Sequence, residues 1–226
     1  MQIFNKNLQE LPLFHGLSEE EIRTFVEHTG STVKGYGKGS RILKPYEKNS
    51  NIGVMVEGMA QVVSEDPFGH ESVGHGLERG ALLGSTSAIL SEEYSPTAIE
   101  ALSETLVLWI PYRSLLVAGP KMGRIHGIVM KNLLEAFCNK NVLMIEKLNL
   151  LSQKSLRERI ILYLLQKERR QKRDKVFVPG RVQLAKELEC HRSALTREIS
   201  SMKEEGLLET GEDWMRLVMD KLGRGS

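Results

Sequence analysis

The residues best equipped to do chemistry lie in one short stretch, His191-Arg192-Ser193-Ala194-Leu195-Thr196-Arg197-Glu198. Here polar and charged groups recur at the spacing of one helix face. A guanidinium can pair bidentately with the O6 and N7 of guanine, and each such pair discriminates by roughly 1–3 kcal/mol. Arg192 and Arg197 are therefore the predicted base readers. Ser193 suits a base edge or a phosphate, whereas His191 and Thr196 suit phosphate, which positions a protein without specifying sequence. Arg181, just upstream, completes the candidate DNA-binding set. Two arginines on an exposed helix would by themselves be only solvating charge, so the flanking pattern decides the matter.

Leu184, Ala185 and Leu188 give one short helix an apolar face, and Leu195, Ile199 and Met202 give a second helix another, with a break at Glu189-Cys190-His191. The small Ala185 lets two helices cross closely, as a helix-turn-helix requires. With the three apolar residues of the second helix turned inward, Arg192, Ser193, Thr196 and Arg197 face outward near its start, the part that enters a major groove first. Glu189 stands where many such turns carry glycine. If it is left-handed it costs roughly 1–2 kcal/mol without forbidding the motif. Residues 209–218 read as a hairpin turning at Thr210–Asp213, a wing with an acidic tip that adds little phosphate affinity.

The elements that must hold this constellation can be read upstream. Leu156, Ile160, Ile161, Tyr163, Leu164 and Leu165 form the wide apolar stripe of a helix docked on a small core, followed by a basic connection, Arg169–Lys175, and a short strand at Val176–Val178. Before it, Met130, Phe137, Met144 and Leu151 recur every seventh residue, with Leu134, Asn141 and Leu148 on the adjoining face. That narrow seam predicts one long helix paired with its twin, and a polar Asn141 on the seam can fix register. A helix packed against its own domain is the competing reading. Between Thr32 and Pro111 short β-type runs alternate with glycine turns, the texture of an antiparallel barrel. Ser18 followed by three glutamates before Ile22, Phe25 and Val26 predicts a short N-terminal helix.

At 226 residues the chain suits two domains. Its 41% hydrophobic and 27% charged content is that of an ordinary globular protein, and no apolar run approaches the roughly 20 residues of a membrane span. Residues 154–226 carry 17 Lys and Arg against 12 Asp and Glu, while the remainder carries 14 against 17. Basic character thus collects in the C-terminal third, as a nucleic-acid-facing domain needs. The first residues, Met1 to Lys6, show no signal-peptide pattern, which predicts cytoplasmic residence. Cys138 and Cys190 lack metal-ligand spacing, so neither a zinc site nor an iron–sulfur cluster is expected. Gly74-His75-Gly76-Leu77-Glu78-Arg79-Gly80 has the wrong spacing for a dinucleotide fingerprint and no P-loop Lys-Ser/Thr. With no nucleophile–base pairing in view either, the chain is not expected to be an enzyme.

Taken together, Leu11-Pro12-Leu13-Phe14-His15-Gly16-Leu17, the glycine-punctuated barrel, Gly80-Ala81-Leu82-Leu83-Gly84, Arg192–Glu198 and Met202-Lys203-Glu204-Glu205-Gly206-Leu207 resemble the Crp/Fnr transcription regulators over the whole chain. The resemblance implies an α+β protein: an effector-binding antiparallel β-barrel of the jelly-roll type (1–120), a dimerisation helix (121–152) and a winged helix-turn-helix (153–226). It further implies a homodimer on a near-palindromic operator in double-stranded DNA, a small-molecule effector held beside the long helix, RNA polymerase as a partner, and no membrane. Effector candidates are Leu82, Leu83, Gly84, Ser85, Ser95, Pro96 and Thr97 with Asn141 and Met144.

One departure bears on the effector. Cyclic-AMP-binding members of the family carry a ribose-binding Glu and a phosphate-binding Arg where this chain reads Gly84-Ser85-Thr86 and Ser95-Pro96-Thr97. No Lys or Arg occurs anywhere from Gly80 to Tyr112. A buried phosphate without a cationic partner is expensive, so the effector is expected not to be cyclic AMP. Haem or gas sensing stays open as an alternative, with His28, His70, His75, His126 and Cys138 as unranked candidate ligands. A winged helix that binds a protein instead of DNA is the other alternative.

Overall fold

Helix ends follow the capping chemistry written in the sequence. In the computed structural model, which describes residues 2–65, 71–90, 95, 97–117, 119 and 122–218, α1 (Glu19–Thr29) starts where Ser18 Oγ accepts a hydrogen bond from Glu21 N at 3.2 Å and the Glu21 carboxylate accepts one from Ser18 N at 2.9 Å. This reciprocal capping box satisfies two orphan donors. Left-handed Gly30 then ends the helix.

The first unit is built on β1 (Thr32–Tyr36), β2 (Arg41–Leu43), β3 (Asn51–Glu57), β4 (Ala60–Glu65), β5 (Glu71–Leu77), β6 (Leu82–Leu83), α2 (Ser85–Leu90), β7 (Thr97–Ala101), β8 (Thr105–Pro111) and α3 (Tyr112–Leu115). Its strands form two four-stranded antiparallel sheets, ordered β1-β8-β3-β6 and β2-β7-β4-β5. The fold class is therefore α+β with antiparallel sheets, and the expected barrel takes the form of these two sheets. β3 and β8 lack the polar–apolar alternation of a half-buried strand because both of their faces are covered. Ile52, Val54, Leu108 and Ile110 pack against Phe14, Phe25, Val129 and Leu133. On the other face Met55, Val107 and Trp109 meet Ile42, Ile99 and Ala101 of the second sheet. A Cβ at Gly53 would lie 2.9 Å from the Trp109 ring and 3.0 Å from Leu83 and Val107, so the absent side chain makes room for the indole. Trp109 Nε1 donates to Tyr36 Oη at 3.0 Å, giving the half-buried phenol and the indole a shared polar contact.

The long helix α4 runs from Gly123 to Leu151. Chain contacts divide the protein into two units inside this helix, after Cys138. Residues 139–151 share a core with the C-terminal elements: Leu150 is buried in it, Gln166 Nε2 donates to Glu146 O at 3.1 Å, and Arg170 pairs with the Glu146 carboxylate.

The second unit continues with α5 (Leu156–Gln171), β9 (Val176–Phe177), α6 (Arg181–Glu187), α7 (Arg192–Glu204), β10 (Leu208–Thr210) and β11 (Trp214–Leu217), the strands ordered β10-β11-β9. Its core gathers Ile160, Tyr163 and Leu164 from α5, Leu184 and Leu188 around α6, and Leu195, Ile199 and Met202 from α7. Ser155 opens α5 with a second capping box, closed by Glu158. No helix among the described residues is long and apolar enough to cross a membrane.

Candidate nucleic-acid interface

α7 presents three different faces. Leu195, Ile199 and Met202 are buried, which seats the helix on the second core. A second face is tied down by Arg157 of α5, a residue that no pattern in the sequence marks. Its Nε donates to Glu198 Oε1 at 2.6 Å, and Nη1 and Nη2 each donate to the Glu205 carboxylate at 2.7 Å, the planar fork that bidentate carboxylate pairing requires. The third face carries Arg192, Ser193, Thr196 and Arg197, all exposed. Among the described residues the guanidinium groups of Arg192 and Arg197 make no hydrogen bond or ion pair. Thr196 Oγ1 donates to Arg192 O at 2.9 Å, leaving its oxygen able only to accept while that bond holds.

The start of α7 differs from those of α1 and α5. His191 occupies the N-cap position in extended geometry, and its side chain makes no capping hydrogen bond. The first backbone N–H groups thus keep their donor capacity and the positive end of the helix dipole, an arrangement suited to phosphate. Arg181, the first residue of α6, is half-buried; one guanidinium nitrogen has no partner among the described residues, and burial pushes its pKa down. It lies apart from the exposed face of α7 in sequence and in burial.

Between the two helices Glu189 is left-handed, with φ of 49°. Glu189 N donates to Lys186 O at 3.2 Å and Cys190 N to Ala185 O at 3.0 Å, the paired bonds of a Schellman ending. α1 and α7 end with the same pair of bonds, but with glycine in the left-handed place: Gly30 at 65° and Gly206 at 70°. Only glycine takes that conformation without strain. Glu189→Gly is therefore expected to stabilise the second unit by about 1 kcal/mol, seen as a higher urea midpoint with unchanged slope. The exposed Lys147–Glu189 pair that it removes, 3.4 Å long, contributes little against this.

The Arg157 cluster makes stability depend on acidity. The Glu205 carboxyl is held below the usual carboxylate range, first by the Arg157 guanidinium and then by the Ser201 hydroxyl. A carboxyl depressed in the folded state contributes stability that is complete above its unfolded pKa and is lost as pH falls through the folded one. The second unit is thus expected to lose stability as pH drops below the ordinary carboxylate range. Glu205→Gln should flatten that part of the urea-midpoint profile between pH 6 and pH 3, scans that check the sign directly.

The residues predicted to hold an effector scatter more widely. Leu83 is buried between the sheets, and Leu82 packs against the helical side of the first sheet. Gly84 is left-handed, and its carbonyl accepts from Asn49 Nδ2 at 2.9 Å. Ser85 is buried at the start of α2, while Ser95 and Thr97 join their hydroxyls at 3.0 Å. Pro96 lies outside the described residues. Asn141 and Met144 are exposed on the part of α4 that belongs to the second unit. A cleft of about 810 Å³ opens elsewhere in the first unit, between Ile3, Val33, Tyr36 and Leu106 with Lys6 and Glu57 at its rim; none of these was in the predicted set. Of the histidines considered for haem, His126 Nε2 lies 2.6 Å from Leu115 O and the His28 ring lies against Gly119. His70 is outside the described residues.

No protein-family model and no curated protein matches the chain. Solved structures do. The Thermus thermophilus catabolite activator protein is 23% identical, covers 93% of this chain and 95% of its own, and superposes with a TM-score of 0.53. This is the Crp/Fnr fold. CprK complexed with OCPA shares it at 15% identity and a TM-score of 0.66, covering 88% of this chain and 91% of its own. The c-di-GMP-responsive global regulator CLP of Xanthomonas campestris shares it at 14% identity and a TM-score of 0.59, covering 88% and 99%.

The Crp/Fnr fold accounts for two antiparallel sheets, a long helix and a winged domain in one chain. The long helix of this chain exposes large apolar side chains among polar ones such as Lys140 and Asn149: Met144 is 56% and Leu148 66% exposed, with Leu134, Val142, Leu143 and Ile145 also open to solvent. Met130 and Phe137, the earlier members of the sequence seam, instead lie half-buried against the first core. Leu151 is half-buried and Asn141 exposed. Both readings of the heptad pattern therefore have residues on their side, the core reading for Met130 and Phe137 and the pairing reading for Leu134, Met144 and Leu148.

Proposed function

We propose that this chain is a sequence-specific DNA-binding transcription regulator that acts as a homodimer. The observation that carries the reading is the outer face of α7, where Arg192 and Arg197 stand exposed and, among the described residues, unpaired beside an uncapped helix start while the opposite face is buried. Arg192 and Arg197 read guanine edges, and Ser193 assists. His191 and the first N–H groups of α7 meet phosphate, and Thr196 joins them by turning its hydroxyl proton from Arg192 O to the phosphate. Arg181, half-buried on α6, contributes electrostatically from behind.

Pairing of two chains through Leu134, Asn141, Met144, Leu148 and Leu151, with Met130 and Phe137 continuing the seam on the core side, would place two α7 helices on successive turns of a near-palindromic site. The apolar exposure of α4 supports this, since contiguous exposed apolar surface marks an interface. The first unit takes a small-molecule effector other than cyclic AMP, the lack of any Lys or Arg from Gly80 to Tyr112 being the ground. Other chains of this fold differ in ligand: CprK is complexed with OCPA, and CLP is c-di-GMP-responsive. RNA polymerase is the partner such a regulator implies, cytoplasm is where it would act, and no catalytic role is assigned.

The test is selection from a random duplex pool followed by titration of the selected site. Specific binding that survives excess nonspecific DNA and weakens steeply with salt supports the proposal. A protein that enriches no sequence is not a sequence-specific regulator.

A further inference from the structure

The turn that delivers α7 is held by two cations from different helices. Lys147 of α4 donates from Nζ to Glu187 O at 2.6 Å and lies 3.4 Å from the Glu189 carboxylate. Arg159 of α5 donates from Nη1 to Leu188 O at 2.9 Å and approaches Glu189 O at 3.4 Å. These are the carbonyls of the last residues of α6 and of the turn. A helix leaves its final carbonyls without partners of its own, and they carry the negative end of its dipole. Cations are the matching ligands.

Two further features make the arrangement more than an ordinary cap. Glu189 holds a left-handed backbone without being glycine, a conformation that persists only where the surroundings over-determine it. Arg192 begins α7 three residues later, so any relaxation of this turn shifts the start of the reading helix. Base-reading groups need placement to within about 0.5 Å. Lys147 also belongs to the stretch of α4 whose Leu143, Met144 and Leu148 are exposed, so the element proposed to pair two chains is the element that grips the turn.

We infer that Lys147 and Arg159 are positioning residues for base reading, which fix the α6–α7 turn and through it the approach of Arg192 and Arg197 to the groove. This rests on the DNA-reading function proposed above. It assigns neither cation a contact with DNA.

The experiment compares the full-length wild type with Lys147→Met, Lys147→Arg, Arg159→Met and Arg159→Lys, on the wild type's selected site and on an unrelated duplex, over a salt series, below each variant's melting temperature. Lys147→Met should weaken specific binding about tenfold or more, the scale of a lost charge-assisted hydrogen bond. Nonspecific binding and the salt slope should stay as in the wild type. Lys147→Arg should restore specific binding, and Glu189→Gly added to Lys147→Met should restore part of it, because glycine holds the turn without the cation. Arg159→Lys keeps one charged donor and answers for that site if Arg159→Met fails to fold.

A salt slope reduced by about 2, one phosphate contact per subunit, would make Lys147 a backbone contact and overturn the inference. Equal loss on both duplexes, or no loss on either, would overturn it as well. If the wild type itself selects no sequence, the DNA-reading function has failed; if it selects one and Lys147→Met binds it normally, only the positioning role has failed.

Discussion

Arg197→Ala is expected to weaken binding to the selected operator by roughly thirtyfold to twenty-thousandfold. Each bidentate arginine–guanine pair discriminates by roughly 1–3 kcal/mol, and a symmetric dimer loses two of them, or about 2–6 kcal/mol. The loss should also be uneven. Competition with operators substituted one position at a time should show selectivity relaxed at one symmetric pair of base pairs and kept elsewhere. The exposed Arg197 side chain makes no hydrogen bond or ion pair among the described residues, so thermal stability should change little. Equal weakening on every sequence would show that Arg197 meets phosphate.

Leu195→Ala should act on the other side of the same helix and through stability. Leu195 is fully buried, packed among Leu184, Leu188, Ile199 and Met202. Removing a buried leucine leaves a cavity that typically costs about 2–5 kcal/mol, a large share of the stability of a unit this size. The two tryptophans separate the outcomes, because Trp109 lies in the first unit and Trp214 in the second. With Trp109→Phe or Trp214→Phe as background, urea unfolding followed by fluorescence reports each unit in turn. The Trp214 transition should move to markedly lower urea and the Trp109 transition should stay. A shift below about 1 kcal/mol would contradict the burial that seats α7.

The helix-turn-helix was legible because its signals are local. Leu184, Ala185 and Leu188 against Leu195, Ile199 and Met202 form two helical stripes within one short stretch, and all six are buried. Ser18 announced α1 in the same way, since a capping box is written within four residues. The left-handed Glu189 could be anticipated from the place of glycine in such turns.

What stayed hidden lacks a local period or is made by distant residues. α2 spans only 6 residues, too few turns for a 3.6-residue repeat to show. Arg157 meets Glu198 and Glu205 across 41 and 48 positions, and Lys147 reaches Glu187 across 40; charged residues this far apart leave no pattern to read. The heptad repeat of α4 was visible, but not which members face the chain's own core, because Met130, Phe137, Met144 and Leu148 are equally apolar. Burial separates them, with Met130 and Phe137 packed inward and Met144 and Leu148 open. The effector candidates were placed by resemblance around Gly84 and Ser95, where side chains such as Asn49 that now contact Gly84 lie 35 positions away.

Methylation interference on the selected operator tests the central claim most directly, since a methyl group on guanine N7 blocks the acceptor that an arginine fork needs. If the wild type binds as the proposed dimer, interference is expected at guanines related by two-fold symmetry and centred about one helical turn apart, and Arg197→Ala should abolish it at one symmetric pair. Binding that ignores guanine methylation throughout, while still sensitive to modification of the phosphates, would show that the arginines of α7 do not read bases.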